Sequence, residues 1–245
     1  MKTTSLKLMA GLVLLAGSLG LQAQTWPSQP IKIIVPFTPG TGMDTIARAV
    51  GPRLSERLGQ PVIVQNTPGA SGNIGADNVA KAAPDGYTVL LHHIGMATAP
   101  ALYRKLPFNV LNDFEFLGMV NDVPMTLVGR STLPASTMPE LMKWLEANKG
   151  KINLANAGIG SASHLCGLLF QQSLGTQITT IAYKGTGPAM SDLLGGQVDI
   201  MCDQTTNTSG QIAAGKVKAY AVTTMKPLTT PALASLPTLD SQGLK

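Results

Sequence analysis

The chain has 245 residues, with 18 Lys or Arg against 13 Asp or Glu and a formal charge of +5. That mild excess, with no basic run, argues against a nucleic-acid binder. Beyond the first residues no stretch is long and apolar enough to cross a bilayer.

Residues 1–20 carry Lys2 and Lys7, no acid, and an apolar run over 8–15, with Ser18, Gly20 and Ala23 close behind. This is the pattern of a secretory signal cut near Ala23, and the run is too short for a membrane span. Removing residues 1–23 takes both lysines away and lowers the formal charge to +3. The 222 residues left can bury one large core or two modest ones. A short basic leader without an organelle signal points to a bacterial periplasm. In that oxidising compartment Cys166 and Cys202 permit one disulfide; the alternative is two small buried apolar residues.

Strand and helix signals then alternate. Residues 31–35 read as a buried strand, 46–58 as a helix closed by Gly59, and 61–65 as a second strand. A Gly-rich loop and a helix to residue 83 follow, then a "PDG" turn, a strand over 87–91 and a helix around 100–103. Three β-loop-α units predict a mostly parallel sheet with helices on both faces. Residues 114–130 hold two strand-like runs, 116–120 and 125–128, and 138–150 form an amphipathic helix ending on Lys and Gly. The opening pattern then recurs. Strands are expected at 152–155, 178–182, 195–203 and 218–224, with helices at 164–174, 190–194 and after 203. The fold expected is α/β, with a mostly parallel sheet in each of two lobes. Residues 24–123 form the first lobe and 124–225 the second, with crossings near 121–124 and 223–227 and a return segment over 226–245.

Four loops rich in small residues sit where strands end and helices begin, at 38–42, 68–73, 157–161 and 185–188. In an open parallel sheet ligands gather at the carboxyl ends of strands. A small-residue turn there aims free backbone N–H groups and the positive helix end at an anion. Thr38 and Thr41 add hydroxyls, while Gly40 and Gly42 admit close approach; Asp44 is read as a cap rather than a ligand contact. Two such loops per lobe suit a small molecule bearing a carboxylate. Lys184 reaches either the ligand or solvent.

Other chemistries fit poorly. "GASGNIG" (69–75) lacks the dinucleotide spacing, and its following strand ends in His92 instead of a ribose-binding acid. His92 and His93 are adjacent, so in extended chain one faces the cleft and the other packs, and they cannot chelate one metal. Ser161, Ser163 and His164 lack a G-x-S-x-G elbow. Asp203, ending the strand "VDIMCD", either meets a ligand's amine, hydroxyl or water in the cleft or caps the next helix.

The segments "WPSQPIKIIVPFTPGTGMDTIAR", "NTPGASGNIGADNVAKAAPDGYT", "LYRKLPFNVLNDFE", "ANAGIGSASHL" and "YKGTGPAMSDLLGGQVDIMCD" resemble the Bug family of periplasmic receptors associated with tripartite tricarboxylate transporters. The resemblance spans residues 26–245. It implies a two-lobed Venus-flytrap protein without catalysis or cofactor, acting as a monomer. A small carboxylate is held by the first-lobe loops Phe37–Gly42 (Phe37, Thr38, Gly40, Thr41, Gly42), Ala70–Asn73 (Ala70, Ser71, Gly72, Asn73) and His92–Ile94. In the second lobe the resemblance assigns Gly158, Ile159, Gly160, Ser161, Thr186, Gly187, Pro188 and Asp203. The implied ligands are di- or tricarboxylates, acidic amino acids or aromatic carboxylates. The implied partner is a membrane permease; a sensor served by the same closure is the alternative, and a periplasmic hydrolase a more distant one. Members of the family continue past "LPTLDSQGLK" with a segment that packs on the first lobe, so an exposed apolar surface is expected there.

Overall fold

A computed structural model describes residues 25–244. Its first sheet has three parallel strands, β1 (Ile31–Val35), β2 (Val62–Asn66) and β3 (Thr88–Leu90), in the order β2-β1-β3. Ile33 of β1 stands level with Val64 and Val89 of its neighbours, so β-branched side chains fill the centre. Around this sheet lie α1 (Gly42–Leu58), α2 (Asn73–Ala80) and α3 (Gly95–Leu102). Val35, Met43 and Ala47 are buried in one small core of this lobe, and Ala76, Met96 and Phe108 in another.

The second sheet has five strands: β4 (Met125–Arg130), β5 (Asn153–Asn156), β6 (Thr179–Ala182), β7 (Ile200–Gln204) and β8 (Val217–Val222). Their order is β6-β5-β7-β4-β8. β4 runs antiparallel to both β7 and β8, whereas β5 pairs in parallel with β6 and β7. The helices here are α4 (Met138–Ala147), α5 (Ala162–Leu174), α6 (Thr186–Leu194) and α7 (Thr205–Ala213). Thr137 caps α4 by accepting from the Glu140 amide, and Glu140 accepts in return from the Ser136 amide. Leu127, Leu141, Leu154, Phe170, Ile200 and Tyr220 form the larger core of the molecule. The described residues form two α/β lobes, one about each sheet, as the alternation of elements predicted.

Of the two open readings of the cysteines, the disulfide is the one formed. Cys166 on α5 and Cys202 on β7 are joined, with Cα atoms 5.9 Å apart. One expectation needs correction. Residues 116–120 form no strand, and Phe116, Leu117 and Met119 are 63%, 82% and 86% exposed. β propensity without a neighbouring strand to bond does not make a strand. The expected return segment stays on the second lobe as far as it is described. Leu239 N–H donates to Val222 O at 2.9 Å, and Leu239 and Leu244 pack on the second-lobe core. The expected signal, residues 1–23, lies outside the described residues.

Candidate functional site

The carboxyl ends of β1 and β3 and of β5 and β7 meet across the seam between the lobes, around a cavity of about 30 Å³. Phe37, Thr41, Met43 and His93 line it from the first lobe. Ala157, Ser161, Ala162, Ser163, Gly185, Thr186, Asp203 and Gln204 line it from the second. Neither Lys nor Arg is among them.

The β1–α1 turn shows how amides are left open. Thr41 enters the helix in extended conformation without a side-chain cap, and its hydroxyl turns back to Thr38 O at 3.0 Å. The first intrahelical bond at this end is Thr45 N–H to Thr41 O at 3.0 Å. The amides of Gly42, Met43 and Asp44 therefore have no intrahelical acceptor, and they carry the positive end of α1 to the seam. Gly40 does something else. It is exposed, its φ is +80°, and its N–H donates to Asp44 Oδ2 at 2.9 Å. The Gly40 amide is thus held by Asp44 rather than left open, which leaves close approach as its expected use. Buried Asp44 also accepts from Arg48 Nε at 2.9 Å and from Asn66 Nδ2 at 3.0 Å, and Asn66 Nδ2 lies 3.0 Å from Phe37 O. The Arg48 hydrogen bond is the main reason the Asp44 carboxyl titrates below its ordinary range. The turn is thus tied from behind, as the reading of Asp44 as a cap expected.

The β2–α2 loop is wound left-handed. Ala70 and Ser71 have φ of +47° and +53°, a strained region for residues with a β-carbon. Asn73 is buried and its Nδ2 has no partner; His92 Nε2, beside Gly72, is likewise unpaired. Ala70, Ser71, Gly72, Asn73 and His92 do not line the cavity but stand behind or beside it. His93 is the histidine at the cavity. It stacks on Phe37 with ring centroids 4.7 Å apart, and its Nδ1 accepts from the Gly95 amide at 2.8 Å. Burial is the leading cause that holds His93 down to about 3 and His92 down to about 4, so both rings are neutral at pH 7.

In the second lobe Ser161 caps α5, its hydroxyl accepting from the His164 amide at 3.1 Å, while His164 Nδ1 accepts from Gly160 N–H at 3.2 Å. The pair is spent on capping rather than set as nucleophile and base. The Ala162 and Ser163 amides of the first turn remain open toward the cavity. Gly158, Ile159 and Gly160 lie on the seam beside the cavity instead of lining it, Gly187 and Pro188 are exposed, and Pro188 has no N–H to offer. Lys184 is exposed. Asp203 is 2% exposed at the end of β7, and its carboxylate accepts from Asn207 Nδ2 at 3.2 Å. Burial pushes it up to about 6 despite bonds from the Gln204 amide and the Thr186 hydroxyl. The N-cap position of α7 belongs to Gln204, and Asp203 lines the cavity.

The lobes are in contact. A β-carbon on Gly95 would stand 2.5 Å from Gly160 O, and one on Gly42 would collide with Thr206 Oγ1. Tyr103 Oη lies 3.0 Å from Ile159 O across the seam and 3.3 Å from Ala70 O on its own side. Glycine at 42 and 95 thus serves close packing of lobe on lobe, a use the loop composition did not reveal.

Two α/β lobes with helix ends converging on a shared cavity define a two-lobed periplasmic binding protein. A family model for the tripartite tricarboxylate transporter family receptor matches residues 46–245, and the chain belongs to that family. The periplasmic binding protein BugD superposes with a TM-score of 0.84 and 50% identity, covering 90% of this chain and 73% of its own. MatC from Rhodopseudomonas palustris, solved with bound malate, superposes with a TM-score of 0.82 and 35% identity, covering 89% of this chain and 74% of its own. A protein encoded in the ttuE–ttuC′ intergenic region of Agrobacterium vitis is 49% identical over 225 residues, or 91% of this chain; the chain spans 64% of that relative's length. The resemblance to the Bug family is borne out.

Proposed function

We propose that this protein is an exported receptor that closes on a small dicarboxylate and presents it to a membrane permease of the tripartite tricarboxylate type. The observation that carries the reading is the convergence of the first turns of two helices, through Met43 in one lobe and Ala162 and Ser163 in the other, on a cavity without a cationic side chain. The amides of such turns hold carboxylates by dipole and hydrogen bond. MatC, bound to malate, supports a four-carbon acid as the first ligand to try. Thr41, Ser161, Thr186 and Asp203 are the polar side chains in reach, with Phe37 and His93 as a flat wall.

A space of about 30 Å³ is water-sized, so entry requires the lobes to part. The hinge lies where the chain crosses between them, near 121–124 and 223–227. Support comes from the bonds linking the two crossings, Thr223 N–H to Met125 O at 3.0 Å and Met125 N–H to Thr223 Oγ1 at 3.1 Å. Residues 24–123 and 124–225 are then the bodies that move. The reading involves no chemical turnover.

Titration calorimetry with L-malate, succinate, citrate, L-aspartate and benzoate tests this. Saturable one-to-one binding of a dicarboxylate, recovered unchanged, is expected. No binding by any of the five acids, or conversion of one of them, would overturn it.

A further inference from the structure

Tyr103 follows α3 in the first lobe, 56 residues from the second-lobe carbonyl it meets. Its hydroxyl has one proton and two acceptors in range: Ile159 O at 3.0 Å across the seam and Ala70 O at 3.3 Å on its own lobe. The second acceptor is held in place by the left-handed backbone at Ala70 and Ser71, φ +47° and +53°. Around this point the lobes come close at glycines. Gly95 approaches Gly160 O closely, and a β-carbon on Gly160 would lie 3.2 Å from Leu102 Cδ1 and 3.8 Å from the Tyr103 ring.

We infer that Tyr103 is a positioning residue for closure, a latch whose single proton moves between the Ala70 carbonyl when the lobes are apart and the Ile159 carbonyl when they meet. The arrangement makes opening cheap. A hydroxyl whose one protein acceptor lies across the seam loses that bond when the lobes part, whereas this half-exposed hydroxyl keeps a protein acceptor in Ala70 O. It also sets the geometry of closure, because Ala70 and Ile159 belong to the glycine-rich loops of opposite lobes. The phenol therefore ties loop to loop beside the cavity, while the ring packs near Gly160. Closure stabilised in this way is independent of any ligand, and a ligand adds its own contacts to it.

The inference rests on the two-lobed closure assumed in the proposed function, and its test separates the two. Cysteines introduced as Arg53→Cys and Lys216→Cys, at exposed positions on opposite lobes, carry spin labels for distance measurement in the full chain without ligand. Tyr103→Phe keeps the ring and removes the proton. The ratio of long to short distances should rise about three- to tenfold, with an unchanged melting temperature. Tyr87→Phe, whose hydroxyl accepts from the Ser28 amide far from the seam, should leave the ratio unchanged. With L-malate added, Tyr103→Phe should release the acid faster by a similar factor. An unchanged distance ratio, or an equal change in Tyr87→Phe, overturns the latch. A wild-type protein that binds no acid overturns the proposed function instead, and the ligand-free distances still decide for or against the latch.

Discussion

Gly95 of the first lobe lies against the carbonyl of Gly160 in the second, with room for a hydrogen atom but not for a methyl group. The contact is main chain to main chain, so it reports directly on how near the lobes come. Gly95→Ala introduces no left-handed strain, because Gly95 is absent from the positive-φ glycines. Its β-carbon meets Gly160 O and the His93 ring at 2.5 Å. The closed form should lose about 1–3 kcal/mol, the usual cost of overpacking. Small-angle scattering should show a larger radius of gyration than wild type; an unchanged radius would mean the contact does not limit closure.

Asp203 predicts a pH dependence with a definite sign. Its folded value of about 6 lies above the unfolded 3.8, so the native state binds the proton more tightly. Stability linked to this group is complete below pH 3.8 and is lost as pH rises through 6. His92 and His93 stay neutral over the upper part of that window. Asp203→Asn should therefore be the more stable protein at pH 7.5, by up to about 3 kcal/mol, and the difference should shrink toward pH 4. Thermal melts at the two pH values check this, and a variant less stable at pH 7.5 would contradict it.

The Cys166–Cys202 bridge closes a separation of 36 residues between α5 and β7. On the chain-entropy account it stabilises by about 3–4 kcal/mol. Denaturant unfolding of the oxidised protein and of the Cys166→Ala, Cys202→Ala double variant should differ by that amount. A difference below about 1 kcal/mol would show that packing alone holds α5 on the sheet.

Asp44→Ala removes a buried acceptor shared by the Gly40 amide, the Arg48 guanidinium and the Asn66 amide. A loss of about 2 kcal/mol is expected from the groups left behind. Amide exchange should quicken at Gly40, the residue whose N–H Asp44 holds. Unchanged exchange there would mean that the turn holds its shape without Asp44.

Much of this arrangement was legible in the residues. Apolar strands running into small-residue loops located the four turns, since no other composition leaves backbone amides so open. Asp44 as a cap was readable from its place in the first helical turn. The choice between His92 and His93 was not. Alternation of faces holds along a strand, and β3 ends at Leu90, before either ring. The misplaced strand at 116–120 has a related cause, because pairing partners are chosen by the whole sheet and not by the run itself. Nothing local announces that Tyr103 reaches Ile159, and the same holds for Gly95 against Gly160. Such contacts arise only when two separately folded halves come together.

The covalent bolt at Cys202 immediately precedes Asp203, the carboxyl on the cavity floor. A reduced chain would hold β7 to α5 by packing and hydrogen bonds alone. The redox state of one bond thus bears on the strand that brings an acid to the space between the lobes.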